Sequence, residues 1–243
     1  MKLLILLIHV CFQWFHQIRH NEFEAHRPDH FSIQIFRLAI PALKTPLHAP
    51  ENLVVELCSI IEPFRLAEIF PRPQPLEVEL GCGDASFLVE YARRNPAKNF
   101  IGVERLLGRI QKLDRKGRLA GLANLRGVRI ESAYLLQYLL PPQSASALHI
   151  YFPDPWPKKR HRKNRLINEH FPALARAALT PGGVVFLRTD DVDYFEQMNE
   201  VFGVADFFGK IPSPPALAEI VTDFERGFNV QGIPTLRAAY QLK

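Results

Sequence analysis

The sequence predicts a doubly wound α/β domain with a mostly parallel, seven-stranded sheet. Two observations support this fold. Short apolar runs alternate with segments of helical periodicity from Leu76 onward, and strands separated by single helices build a parallel sheet with helices on both faces. The chain has 243 residues, of which 47% are hydrophobic, so it is long enough to bury one large core.

Each element follows from its local pattern. The first strand, LEVEL, ends at a glycine turn, and the next helix carries Phe87, Leu88 and Tyr91 on one face. A basic amphipathic helix follows the second strand, and the helix before the fifth strand stops at the Thr-Pro-Gly-Gly turn, 180–183. The predicted strands are 76–80, 99–104, 125–130, 147–152, 183–190, 204–211 and 235–242, and the predicted helices are 85–95, 105–119, 165–179 and 191–202.

The N-terminal segment differs from the rest, so we predict an appendage over 1–50, weakly ordered or irregular, and a domain over 51–243. Residues 3–12 are apolar except for His9, but a spanning helix needs about 20 such residues, so no membrane association is expected. The segment resembles the start of a signal peptide but has no small-x-small cleavage site. Export is the alternative to the cytoplasmic location that we expect.

The cysteines and histidines predict no metal site. The three cysteines, Cys11, Cys58 and Cys82, form neither a disulfide framework nor a CxxC pattern, which favours a reducing compartment. His16 and His20 stand four residues apart, but a fourth ligand at suitable spacing is missing.

Clustered positive charge indicates a polyanionic partner. The net charge is only +5, yet the stretches 93–129 and 158–165 hold seventeen of the thirty Lys and Arg residues. Such clusters are typical of nucleic-acid binding, and a solvated helix face is the alternative interpretation.

The first two strand ends predict a cofactor site. Gly81 and Gly83 allow a sharp turn that brings the backbone close to a ligand. Ser86 occupies the third position of a G-x-G-x-x-G fingerprint, which argues against a dinucleotide. Glu104 lies 23 residues after Gly81, where a carboxylate accepts the ribose hydroxyls of an adenosine-containing cofactor. A purely structural turn and a capping role for Glu104 are the alternatives.

The fourth strand end predicts an active site. Three prolines in PDPWP hold Asp154 rigidly, Trp156 offers a flat face to a base, and six cations follow. A rigid turn with a solvated basic tail is the alternative. After the fifth strand, Asp190 lies on the same rim and Asp191 is expected to cap the next helix. The segment 222–227 is predicted to be a loop over the strand ends.

At these residues the sequence resembles the tRNA (guanine-N7-)-methyltransferase family, in its bacterial single-chain form. The resemblance runs from about Leu66 to the C-terminus and rests on VELGCG (78–83), GVE (102–104), YFPDPWPKKRHRKNRL (151–166), RTD (188–190) and TDFE (222–225). It departs from the family pattern at Ala85, where another glycine is common, and at Glu131-Ser132, where Asp-Ala is usual.

The resemblance implies a class I methyltransferase (Rossmann-like) fold, S-adenosylmethionine as cofactor, and N7 of guanosine 46 in the tRNA variable loop as target. It implies a catalytic role for Asp154 and cofactor contacts from the acids Glu79, Glu104 and Glu131, beside Gly81 and Gly83. The implied substrate contacts are Lys158, Asp190, Thr222, Asp223, Phe224 and Glu225. No obligatory protein partner is expected, and the protein is expected to be a monomer or homodimer.

Three other functions stay open on the sequence alone. A nicotinamide-dependent oxidoreductase would use the same type of sheet, although no hydride-transfer acid/base pair is evident. A non-catalytic RNA-binding protein would have no need of the acids on the cofactor side. A methyltransferase acting on another RNA would share every motif given above.

Overall fold

The computed structural model describes residues 51–243, and the predicted appendage, 1–50, lies outside the described residues. The described part contains a seven-stranded sheet in the order β3-β2-β1-β4-β5-β7-β6. Strands β1 to β5 run parallel, and β7 pairs antiparallel with both β5 and β6. The predicted doubly wound, mostly parallel sheet is therefore confirmed.

The strands are apolar because helices cover both faces of the sheet. All five residues of β1 and all five of β2 are buried. The strand bounds are β1 Leu76–Leu80, β2 Asn99–Val103, β3 Leu125–Val128, β4 Ala145–Tyr151, β5 Leu179–Thr189, β6 Phe208–Ile211 and β7 Leu236–Leu242.

The helices connect the strands and set the positions of the turns between them. Their bounds are α1 Leu66–Ile69, α2 Ser86–Arg94, α3 Leu107–Leu119, α4 Ser132–Tyr134, α5 Phe171–Ala178, α6 Val192–Gly203, α7 Pro215–Ala218 and α8 Asp223–Val230. A π-helical turn, Leu135–Leu139, continues α4, and a 3₁₀ helix, Lys159–Asn164, follows β4. Within residues 51–243, no helix is long and apolar enough to cross a membrane.

Helices α2 and α3 pack closely on the sheet because β2 contains Gly102. A Cβ atom at this position would lie 2.5 Å from a methyl carbon of Leu113 in α3 and 2.7 Å from one of Leu88 in α2. Any larger residue would push these helices away. The close packing places the start of each helix directly beside the strand ends that precede it.

Three sequence predictions were wrong in detail. The helix predicted over 165–179 is only Phe171–Ala178, with Pro172 in its first turn, where proline is tolerated. Strand β5 begins at Leu179, so the predicted Thr-Pro-Gly-Gly stop lies within the strand, beside a register shift in its pairing with β4. The segment predicted as a loop, 222–227, begins helix α8, whose first turn has a capping box formed by Thr222 and Glu225.

Candidate active site

Four of the predicted cofactor and catalytic positions line one cleft at the carboxyl edge of the sheet, whereas Glu79 and Gly83 lie outside its lining. Its walls include Gly81 after β1, Glu104 after β2, Glu131 after β3 and Asp154 after β4. The cleft has a volume of about 230 Å³ and lies where the strand order reverses, beside β1 and β4. Ligands of doubly wound sheets bind at this switch point.

The glycine turn opens one side of the cleft to a ligand. Gly81 and Gly83 have φ angles of 81° and 55°, in the left-handed region that favours glycine. A Cβ atom added at either position would meet no atom within 4 Å, so the backbone conformation, not crowding, explains the glycines. The amides of Gly81 and Cys82 both donate to the carbonyl oxygen of Val103, which ties the turn to β2.

Glu79 presents an unsatisfied acceptor beside this turn. Its side chain is buried, and its Oε2 atom has no hydrogen-bond partner among the described residues. Burial raises the pKa of Glu79 well above its ordinary value, and the positive charge of Arg188 opposes that rise. A buried oxygen of this kind is costly unless a ligand donates to it.

Glu104 and Glu131 differ in how many of their carboxylate oxygens already accept hydrogen bonds from the protein. In Glu104, Oε1 accepts a hydrogen bond from the amide of Leu106 at 2.8 Å, while Oε2 lies 3.7 Å from the Arg109 guanidinium. Glu104 therefore retains capacity to accept hydroxyl donors. Both oxygens of Glu131 accept backbone amides of α4 as its N-cap. This geometry assigns Glu131 a structural role, and its contact with a cofactor stays a prediction.

This donor and acceptor set fits S-adenosylmethionine. The orphaned Glu79 oxygen matches an ammonium donor, the glycine turn leaves open space for a ligand, and the Glu104 carboxylate matches ribose hydroxyls. The described residues contain no group of three or more His, Cys, Asp or Glu side chains that could hold a metal ion.

The loop after β4 places Asp154 at the mouth of the cleft. Asp154 is exposed, and the residues two positions before and after it, Phe152 and Trp156, have φ angles of 51° and 44°. Each such non-glycine residue costs about 1–2 kcal/mol. The loop therefore holds a strained backbone that the rest of the protein must stabilise.

The implied substrate residues of the TDFE segment have two different environments. Phe224 is half exposed and stacks on Phe152 with ring centroids 6.1 Å apart, so an aromatic surface lies beside the Asp154 loop. Glu225 is fully buried; its oxygens accept hydrogen bonds from Arg188, Arg237 and the amide of Thr222. This geometry assigns Glu225 an anchoring role, because both of its oxygens are buried and already accept hydrogen bonds; its contact with substrate stays a prediction.

The hydroxyl of Thr222 likewise accepts the Glu225 amide at 3.0 Å and so caps α8. Asp223 is exposed and forms an ion pair with Arg226. Lys158 is exposed at the start of the 3₁₀ helix, and Asp190 follows β5. Within residues 51–243, none of these side chains lines the cleft. As expected, Asp191 caps α6 by accepting the Tyr194 amide at 2.7 Å.

The cationic run after Asp154 divides into outward and inward members. The outward members are Lys158, Lys159, Arg160 and Lys163, all exposed. The inward member is Arg165, which is 1% exposed, whereas Arg162 is intermediate: it pairs with Asp193 at 2.7 Å and 40% of its side chain is exposed. Because it is buried, Arg165 is not available for the phosphate contacts that a basic run of this kind predicts. Arg105, just before α3, and Arg109 within it are exposed and line the cleft. Lys112 and Arg115 are exposed farther along α3.

A larger cavity, about 680 Å³, lies away from these residues. It is lined by the amino-terminal halves of β1 and β4, the middle of β5, and residues of α2 and α7, and it contains Glu77, Tyr91 and Lys98. Glu77 joins a buried hydrogen-bond chain to His149 and Tyr151. We assign the active site to the smaller cleft because the glycine turn, Glu104 and Asp154 meet there.

Comparisons with known proteins find methyltransferases. A family described as "Putative methyltransferase" matches residues 73–238. A protein of Syntrophotalea carbinolica named tRNA (guanine-N(7)-)-methyltransferase is 36% identical over 163 residues, which cover 65% of this chain and 69% of the relative. A protein of the same name from Treponema pallidum is 34% identical over 198 residues, which cover 76% and 78% of the two chains.

A third protein of that name, from Bordetella parapertussis, is 38% identical over 141 residues, and the match spans 58% of this chain and 56% of the relative. Among solved structures, the 16S rRNA methyltransferase KamB aligns with a TM-score of 0.54 at 14% identity, covering 73% of this chain and 92% of its own. A 30S ribosomal A1408 methyltransferase from an uncultured bacterium aligns with a TM-score of 0.51 at 18% identity, covering 73% and 92%. At these identities the structures show a shared class I methyltransferase fold alone.

Proposed function

Because the chain belongs to the tRNA (guanine-N(7)-)-methyltransferase family, we propose that it methylates N7 of guanine 46 in the variable loop of tRNA with S-adenosylmethionine as donor. The observation that carries this proposal is the single cleft shared by Gly81, Glu104 and Asp154. Gly81 and Glu104, predicted to bind the cofactor, line this cleft together with Asp154, predicted to act in catalysis, and this supports the proposal.

The cofactor supplies a methyl group on a positively charged sulfur. On the protein side, Gly81 and Gly83 shape the turn that receives it, Glu79 accepts a hydrogen bond in a buried position, and Glu104 accepts ribose hydroxyls. Glu131 lies at the wall where the adenine is expected.

Asp154 acts on the guanine. The N7 atom already carries an in-plane lone pair, so no proton has to be removed before it attacks. Positive charge then spreads over the purine, and the N–H groups at N1 and N2 become more acidic. The Asp154 carboxylate accepts hydrogen bonds from these groups and stabilises the developing charge electrostatically.

Exposed cations around the cleft bind the tRNA backbone. Helix α3 and the 3₁₀ helix both place lysine and arginine side chains on the surface beside the mouth, and such contacts recognise RNA by the shape of its backbone. Family resemblance also implies substrate contacts from Lys158, Asp190, Asp223 and Phe224. These four residues lie outside the lining of the cleft, and we assign them to contacts with tRNA around it. The protein works in the cytoplasm as a monomer or homodimer without an obligatory protein partner.

Mapping of 7-methylguanosine tests the proposal. In tRNA from a strain that lacks this gene, we expect the modification at position 46 to disappear and to return with the parent gene but not with an Asp154→Ala gene. Calorimetric titration of the purified protein distinguishes the proposed methyltransferase from the oxidoreductase alternative. For a methyltransferase, S-adenosylhomocysteine should bind and NAD should not. Undiminished 7-methylguanosine at position 46 in the deletion strain would refute the substrate assignment.

A further inference from the structure

Arg165 differs from every other cation of the basic run in its environment. Its side chain is 1% exposed, whereas Lys159, Arg160 and Lys163 are exposed. Its Nε donates to the carbonyl oxygen of Pro155 at 2.7 Å, its Nη1 to Oε1 of Gln197 at 2.6 Å, and its Nη2 to Oδ2 of Asp193 at 2.6 Å. The planar guanidinium therefore joins three acceptors at once, which a lysine ammonium on a flexible stem cannot reproduce.

Helix α6 forms the socket for this side chain. Asp193 and Gln197 are four residues apart and so share one face of the helix, and the ring of Tyr194 lies 4.6 Å under the guanidinium. The same helix also holds the chain just beyond Arg165. The Tyr194 hydroxyl accepts the amide of Ile167 at 2.9 Å, and the Gln197 amide nitrogen donates to the Ile167 carbonyl at 2.8 Å.

The acceptor at Pro155 is adjacent to Asp154, so this contact bears directly on the active-site loop. The loop backbone is left-handed at Phe152 and Trp156, and such conformations persist only when the surrounding structure holds them. At its start, the Phe152 amide donates to the Arg188 carbonyl at 2.8 Å. After Asp154, the hydrogen bond from Arg165 to Pro155 connects the loop to α6, because the same guanidinium also donates to Asp193 and Gln197.

We propose that Arg165 is a positioning residue: it fixes the Asp154 carboxylate at the cleft by tying Pro155 to α6, and it makes no contact with tRNA. This inference rests on the proposed function, because it needs Asp154 to act on the guanine. Misplacement of a reacting group by about 1 Å can cost 10²-fold in rate. Arg165 thus affects kcat indirectly, by holding Asp154 in place.

The test compares Arg165→Met with Arg126→Met. Arg126 is also buried, donates to backbone carbonyls and stacks on Phe70, but it lies near the amino end of β3, away from the cleft. Both variants are assayed below their unfolding temperatures, with tritiated methyl transfer to unmodified tRNA and titration of S-adenosylhomocysteine. We expect kcat to fall about 10–100-fold for Arg165→Met, with cofactor affinity within about twofold, and to change little for Arg126→Met.

A double variant separates positioning from general structural damage. If Arg165 acts only through Asp154, adding Arg165→Met to Asp154→Ala should lower kcat no further. A full additional loss in the double variant would overturn the proposal. So would a salt dependence of tRNA binding reduced by about one unit in Arg165→Met, because that change marks a lost phosphate contact.

Asp193→Asn provides a milder version in case Arg165→Met does not fold. It weakens one acceptor, whose side chain is 47% exposed, and should lower kcat several-fold with the same non-additivity toward Asp154→Ala. Additive losses here would likewise overturn the proposal. Absence of methyl transfer to tRNA by the parent protein would refute the proposed function instead, and this result is distinct from each outcome above.

Discussion

Replacement of Glu225 by alanine should destabilise the protein strongly. The carboxylate is 0% exposed and pairs with Arg188, itself 3% exposed, at 2.8 Å. Alanine would leave the Arg188 guanidinium buried without a counter-charge, although it keeps hydrogen bonds to the carbonyl oxygens of Leu217 and Ile220. Breaking one side of a buried ion pair costs about 3–5 kcal/mol.

Loss of the capping box at the start of α8 adds about 1 kcal/mol. The pair with Arg237 adds little, because that side chain is 35% exposed and solvent screens it. We therefore expect a decrease in the free energy of unfolding of about 4–6 kcal/mol. For a domain of this size, the decrease corresponds to a Tm lower by roughly 10–20 °C.

Urea denaturation and calorimetry of Glu225→Ala measure this effect, with Glu219→Ala as the matched control. Glu219 pairs with Arg94 at 3.7 Å, but both side chains are exposed, so its loss should cost less than about 1 kcal/mol. The double variant Arg188→Met with Glu225→Ala should lose less stability than the sum of the single changes. The anchoring role would be contradicted if Glu225→Ala lost as little unfolding free energy as the control and its KM for tRNA were raised. That result would show that Glu225 contacts substrate instead.

Three further predictions concern the cleft and the buried network. Asp154→Ala should lower kcat about 100-fold or more with S-adenosylhomocysteine affinity unchanged; full turnover on unmodified tRNA would contradict its role. Glu104→Gln should weaken S-adenosylhomocysteine about tenfold in calorimetric titration while saturating cofactor restores most of kcat; unchanged affinity would exclude the ribose contact. Although burial opposes ionisation, His149 and Lys98 lower the pKa of Glu77 from 4.5 to about 2, so ionised Glu77 stabilises the fold above about pH 4.5. This stabilisation is lost as pH falls toward 2. In urea titrations, the difference in unfolding free energy between the parent and Glu77→Gln should therefore narrow over that pH range. A difference that stays constant would contradict the stabilising role of ionised Glu77.

Much of the site is predictable because its signals are local. A glycine turn after an apolar run, an acid 23 residues later and a proline-held aspartate each follow a strand, and parallel strands bring their carboxyl ends to one edge. The structure accordingly places Gly81, Glu104 and Asp154 in one cleft. Their relative placement needs only the strand order, which short right-handed crossovers restrict to few choices.

Helix bounds were less predictable where charge and helical periodicity conflict. Residues 165–170 continue an apolar spacing toward α5, yet the helix begins only at Phe171. Arg165 lies outside that helix, and its side chain reaches acceptors on α6. The partners Asp193 and Gln197 do stand at helical spacing in the sequence. Nothing near Arg165 in the chain indicates that it contacts them.

The amino-acid sequence by itself determined the sheet, the catalytic edge and the chemical types gathered there, because hydrophobic periodicity and turn residues act over a few positions. Only the tertiary structure decided which charged side chains face solvent and which hold the protein together. Arg165 meets Asp193 from 28 positions away, and Arg188 meets Glu225 from 37. Burial of a charged side chain costs free energy unless a partner lies within hydrogen-bond distance, and only the folded chain places that partner there.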